Sequence, residues 1–272
     1  MAQNPARRLT CVFAVALLFV APLIAYPVTI AKTQTPAANP VPASDATGVP
    51  IRGEQHHHLV LENSYVHVYF VEIPGHDSVP LHRHDLPYVS VPPPGEADAL
   101  GGVSSGPEAR PAVDESRVRY TFGGFSHAVT NPSDLPLRNI AIELVRPQGT
   151  IRNRCREVLK DQPKENCDMS PSGDSALPRH YALFETDEIV VEHWEVGPNS
   201  TSAPWDNHLD ILVAALTGAS ISAAGIDSAK LPHGIVWLPG GSHPVFKTAS
   251  SAGHFVAITF KDSGSASASN NR

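Results

Sequence analysis

Two stretches of this chain can be laid side by side. Residues 61–91, LENSYVHVYFVEIPGHDSVPLHRHDLPYVSV, and residues 184–218, FETDEIVVEHWEVGPNSTSAPWDNHLDILVAALTG, share an alternating apolar run, a turn with Pro and Gly, and a second run carrying histidine. Alternate side chains of a strand share one face, so each copy reads as the same small β unit. Tyr65 to Ile73 and Leu137 to Val145 are dense in β-branched and aromatic residues, and Glu115 to Phe122 and Phe125 to Thr130 supply further strands. A chain of 272 residues has room for two such bodies, since domains cluster at about 100 to 150 residues. The 26 Pro and 19 Gly punctuate short segments, as loops between strands require. With 42% apolar and only 17% charged residues, the body is folded rather than disordered.

Within the first copy, His82 and His84 are separated by one residue where a strand begins. Their imidazoles therefore point the same way, which is half of a metal site. The best third ligand downstream is His127 in FGGFSHAVTN, presented by the bend that Gly123 and Gly124 permit. Asn131 shapes the turn with Pro132. His67, inside a strand, reads as a histidine held by a neighbouring hydrogen bond. His56, His57 and His58 read as exposed residues at a strand start, because consecutive strand residues face opposite ways.

Gly75, then His82-x-His84, then Gly124-Phe125-Ser126-His127 with Asn131 resembles the paired motifs of the cupin superfamily. The resemblance implies an all-β fold of two tandem jelly-roll barrels (double-stranded β-helices), residues 51–148 and 179–262. It also implies a divalent transition metal, Fe, Zn or Mn, held by His82, His84 and His127. Where the first motif usually supplies a Glu, this chain has Tyr88 or Val89. The set is similar to the three-His cupins, among them thiol and diketone dioxygenases. In the second copy, a one-residue insertion aligns Asp206 with His82 and His208 with His84, and His243 follows Gly240-Gly241-Ser242. The second barrel reads as degenerate, its site decayed into packing and hydrogen bonds, with Asp206, His208 and His243 as a possible second site in the alternative. Even spacing from His84 turns Tyr88 inward as the candidate catalytic phenol; the alternative is a barrel-filling aromatic.

The flanks address the compartment. Residues 1–31 combine Arg7-Arg8, an apolar run from Leu9 to Ala25 and a small-residue exit, and read as a cleavable export segment, with an uncleaved membrane anchor as the alternative. Residues 32–50, rich in Pro and Ala, read as a tether, and 263–272 as a disordered tail. The expected location is periplasmic or secreted. Residues 91–113 read as a loop beside the barrel mouth. In the inter-barrel segment 149–178, Arg152 to Leu159 is expected to form a short helix bracketed by Cys155 and Cys167. In an exported chain these two cysteines pair as a disulfide.

Formal net charge is −7, more negative once Arg7 and Arg8 leave. Apart from Arg152, Arg154, Arg156 and Lys160 the chain has no basic cluster, which excludes nucleic acid as a partner. The membrane is met only through an uncleaved N-terminal segment. Two function classes remain. Three neutral imidazoles leave a bound metal its full charge and open positions, which suits a dioxygenase-type oxidoreductase acting on a small chelating substrate. The other class is a barrel that holds or senses a small molecule without turnover. Self-association as a homo-oligomer is compatible with either.

Overall fold

Runs of Val, Ile and aromatic residues form strands on both sides of each large sheet. The computed structural model describes residues 48–93, 118–167, 179–217, 220–223, 226–227 and 232–261. The expected export segment 1–31, most of the tether, most of the 91–113 loop, the end of the inter-barrel segment and the tail lie outside the described residues. The first half supplies β1 (Val49–Pro50), β2 (His57–Glu62), β3 (Val66–Ile73), β4 (Ser78–His84), β5 (Tyr88–Val91), β6 (Arg119–Thr121), β7 (Phe125–Thr130) and β8 (Leu137–Leu144). After β9 (Arg152–Asn153) come β10 (Arg179–Glu185), β11 (Ile189–Val196), β12 (Ile211–Ala215) and β13 (Ser220–Ala223). The chain ends with β14 (Ile226–Asp227), β15 (Ile235–Leu238), β16 (Val245–Lys247) and β17 (Gly253–Phe260). Among the described residues the only helices are short 3-10 turns such as Ile51–Gly53.

The sheets show the duplication directly. One large sheet runs β2-β3-β8-β5-β6, and the other, read from its far edge, runs β9-β10-β11-β17-β12-β15. Leaving out β9, the two orders are the same, each with the last long strand inserted beside the first. Their ladders are antiparallel. A small sheet, β1-β4-β7, covers the first large sheet, and β14-β13-β16 covers the second. Each half is therefore a jelly-roll barrel, and the expected tandem all-β architecture is the one observed.

Period-two alternation sorts the core. From β3, Tyr69, Val71 and Ile73 turn into the first barrel beside Val79, Tyr88 and Ala141. Val66, Val68 and Phe70 turn the other way and join Val191, Leu212, Ile258 and other residues of the second half in the largest apolar cluster. Trp194, Val213, Phe246 and Phe255 fill the second barrel. The large sheets thus bury apolar side chains on both faces, which is why β3 and β17 carry so few polar residues.

The connection between halves departs from expectation. Arg152 to Leu159 is no helix, because Asn153 fixes the chain by side-chain bonds instead. Its Oδ1 accepts from the backbone N–H groups of Val158 and Leu159, both at 2.8 Å, and its Nδ2 donates to the carbonyls of Leu159 and Gln162. Cys155 and Cys167 are joined in a disulfide with Cα atoms 5.5 Å apart, as expected. Closing so short a loop stabilises the fold by about 3 kcal/mol in the loop-entropy account.

One buried histidine outside the candidate site makes stability depend on pH. Burial, and then its neighbour His254, push His193 down to about 3, whereas an unfolded histidine takes its proton near 6.5. Between those values the unfolded state binds more protons than the native state. Stability is therefore lost as pH falls from about 6.5 toward about 3, with His193 contributing about 1.4 kcal/mol per pH unit. Denaturant midpoints measured from pH 7 to pH 4.5 are expected to include this slope, and His193→Gln to reduce the total by that share.

Candidate metal centre

The centre is built from the ends of three strands of the first barrel. In β4, His82 and His84 share the inward face by alternation. The antiparallel partner β7 sets His127 directly opposite His82, so its ring joins the same face. Ring centroids lie 4.3 Å apart for His82 and His127, and 5.2 Å apart for His84 with each of the other two. The turn into β7 needs glycine at two successive positions. Gly124 has φ of 82° and its N–H bonds the His84 carbonyl at 2.7 Å, while a Cβ on Gly123 would stand 2.5 Å from the Leu86 carbonyl carbon. Asn131 spans the next turn as expected, donating to the carbonyls of Ile73, Pro74 and Leu135.

A fourth imidazole arrives from β2. His57 is buried, its ring 4.9 Å from His82 and 5.9 Å from His84. His57, His82 and His84 each offer a ring nitrogen, and these three atoms lie within 4.8 Å of one another. The reading of all three consecutive histidines as exposed is thus corrected: His58 is exposed, but His56 and His57 are buried. The alternation rule held, since His57 faces in and His58 out. The missed signal was Glu54, an acid at a strand start beside two histidines.

Hydrogen bonds decide which nitrogens remain free. His57 Nδ1 donates to Glu54 Oε2 at 2.5 Å, and His82 Nδ1 donates to the Pro80 carbonyl at 3.0 Å. Each Nε2 is left as a lone pair. His84 Nδ1 and His127 Nε2 are buried with no hydrogen-bond partner among the described residues. Burial, and then the other imidazoles, push His84 down to about 3 and His127 down to about 4. His57 is also lowered by burial, against the pull of Glu54. Neutral imidazoles with unpartnered buried nitrogens are what a divalent transition ion satisfies, so the donor set fits such a metal.

The space beside the cluster carries other polar groups. Tyr88 is buried and stacks on His84, with ring centroids 4.5 Å apart and planes 24° from parallel. It pairs across the sheet with Glu143, whose buried carboxyl is pushed up by burial despite His67 Nδ1 at 3.4 Å. His67 is thus held by a neighbouring acid as expected. Phe125 also stacks on His84, with ring centroids 5.6 Å apart and planes 14° from parallel.

The second barrel does not repeat the cluster, and the strand register says why. Gly241 N–H bonds the Asn207 carbonyl as Gly124 N–H bonds that of His84. Trp205 N–H bonds the Pro244 carbonyl where β4 pairs His82 with His127. The structural counterparts of His82, His84 and His127 are therefore Trp205, Asn207 and Pro244. This corrects the sequence alignment by one residue, and a one-residue shift exchanges inward for outward positions. Asp206, His208 and His243 do stand together, each imidazole 3.4 Å from the carboxylate, but all three side chains are more than half exposed. Asn207 spends its amide on the turn, donating to the Pro239 carbonyl and accepting from the His243 N–H. Above it opens a cavity of about 310 Å³ lined by Trp205, Asp206, His208, Glu192 and Ile211.

No family model matches the sequence, and no curated protein matches it. Solved structures do resemble the chain path. AerE from Microcystis aeruginosa is similar at 11% identity over 77% of this chain and 99% of its own, with a TM-score of 0.45. A cupin 2 conserved barrel domain protein from Leptotrichia buccalis is similar at 10% identity over 75% and 88%, with a TM-score of 0.41. A salicylate 1,2-dioxygenase variant from Pseudoaminobacter salicylatoxidans, in complex with gentisate, is similar at 12% identity over 72% and 69%, with a TM-score of 0.44. The strand order and its duplication describe two tandem jelly-roll barrels, with imidazoles gathered from β2, β4 and β7 into one histidine cluster in the first.

Proposed function

We propose that this protein is an exported bicupin metalloprotein that holds a divalent transition metal in its first barrel and oxidises a small chelating substrate with dioxygen. The observation that carries this reading is the set of buried imidazoles whose ring nitrogens meet inside one barrel. His57, His82 and His84 would hold the ion, with His127 beside them. When bound, such an ion supplies a Lewis acid with positions open to a chelating ligand and to dioxygen. The remaining work belongs to the chain. Ile51, Val79 and Phe125 wall the site with apolar surface and keep water out. Tyr88, flat against His84, orients an oxygen-bearing substrate through its phenol, and Glu143, whose carboxyl is pushed up by burial, stands across the sheet from it. The disulfide supports export, since such bonds persist in oxidising compartments.

A second reading, small-molecule holding without turnover, is favoured by the cavity of the second barrel with Trp205 on its wall. Elemental analysis of protein from its native compartment, followed by oxygen uptake with diketones, thiols and catechols, tests the first reading. About one transition-metal ion per chain with substrate-dependent uptake is expected. Metal-free protein that keeps its fold would sink the catalytic reading and leave the second.

A further inference from the structure

We propose that Glu54 is the positioning residue of the metal centre, fixing His57 as a ligand through Nε2 and supplying, one imidazole away from the ion, the carboxylate that the Tyr88 slot lacks. The inference rests on the metal-binding reading above. Glu54 is buried between the 3-10 turn Ile51–Gly53 and β2, with its side chain only 2% exposed. Both of its oxygens are used. Oε2 accepts from His57 Nδ1 at 2.5 Å and from the His56 backbone N–H at 2.9 Å, and Oε1 accepts from His56 Nδ1 at 2.8 Å. His56 is steadied in turn by Asp77 Oδ2, 3.5 Å from its Nε2. The carboxylate cannot turn without breaking a bond to one imidazole or the other.

The consequence for His57 is chemical. A carboxylate can only accept, so His57 must carry its proton on Nδ1 and leave Nε2 as a lone pair toward His82 and His84. Metal-ligating histidines that donate to a carboxylate in this way are fixed in tautomer and raised in basicity, and loss of such a partner typically costs about 10 to 100-fold in metal affinity. A glutamine at position 54 fills the same volume but replaces one acceptor with an N–H₂ donor. The His56 backbone N–H holds the amide oxygen at the Oε2 position, so His57 keeps an acceptor but loses the anionic partner that raises its basicity, while His56 Nδ1 must accept from the amide. The buried carboxylate charge is offset on its other side by His56, whose two ring nitrogens face the carboxylates of Glu54 and Asp77. The expected Glu of the family motif, absent after His84, is thus replaced in effect from the segment that leads into β2.

The test uses the full-length protein, stripped of metal and titrated with Co(II) against a chromophoric chelator. Wild type is expected to bind and to show a visible Co(II) spectrum, Glu54→Gln to bind roughly 10 to 100-fold more weakly with an altered spectrum, and Glu54→Asp to fall between them. In a His57→Ala background, Glu54→Gln is expected to add nothing. Wild type that does not bind Co(II) would overturn the metal reading itself. Wild type that binds, with Glu54→Gln within twofold of it or with additive losses in the His57→Ala background, would overturn the role of Glu54 and leave the centre standing. If Glu54→Gln loses its near-ultraviolet circular dichroism, the ¹⁵N shifts of His57 in metal-free wild type decide: protonated Nδ1 with bare Nε2 supports the proposal, and the reverse tautomer ends it.

Discussion

The double variant His82→Ala/His84→Ala is expected to lose its metal while keeping both barrels. Four-ligand zinc sites in peptides bind with about 10–16 kcal/mol, so each nitrogen contributes roughly 3 kcal/mol and removing two weakens binding by on the order of 10⁴-fold. The fold has reason to survive. Both histidines sit in β4 of the small covering sheet, while the largest apolar cluster lies on the far side of β3, β5 and β8. Four crowded imidazoles also raise the cost of any proton among them, so truncating two relieves a mutual penalty while leaving a cavity beside Tyr88 and Phe125. Metal content by elemental analysis and circular dichroism on the same sample check the result. Undiminished metal content would place the ion elsewhere.

Gly123→Ala is expected to be among the most damaging single changes outside the large-sheet core, and its effect should reach the metal. The added Cβ would meet backbone at 2.5 to 2.8 Å in Asp85 and Leu86, atoms that no rotamer change can move. Relief requires separating the end of β4 from the start of β7, which are the segments that carry His84 and His127. A destabilisation of about 3 kcal/mol, within the range for backbone clashes, should therefore come with weaker metal binding. The second barrel supplies the control. A Cβ on Gly240 would meet the His208 carbonyl oxygen at 2.6 Å, a comparable clash in a barrel without the cluster. Gly240→Ala should lower the denaturant midpoint to a similar degree and leave metal affinity unchanged. Equal loss of metal from both variants would mean that global unfolding, rather than strand separation, releases the ion.

Much of this architecture was legible because period two is a strong signal where a strand is covered on one or both faces. The pattern of Tyr65 to Ile73 located β3 to within a residue, and the spacing of His82 and His84 placed two rings on one face. Gly123 and Gly124 announced a turn because few other residues could make it. Besides the exposed reading of His56 and His57, two readings failed, and for definite reasons. Arg152 to Leu159 has an acceptable helical composition, but a single asparagine offers the same N–H and C=O groups closer partners. The second copy was aligned on its histidines, yet what sets register is the backbone bond from Gly241 to Asn207, and side-chain identity is silent about it.

By itself, then, the chain's order of residues determined its local periods: which segments are strands, which side chains share a face, where the backbone must bend, and that the plan is used twice. Only the tertiary structure decided which strands meet. It brought His57 and its supporting Glu54 into the first barrel from a segment that looked like solvent-facing sequence, and it turned Asp206 and His208 away from the interior of the second. The physical reason is that alternation is a relation between neighbours along one strand, whereas a metal centre is a relation between strands, fixed by interstrand hydrogen bonds and by the exclusion of water that only packed sheets provide.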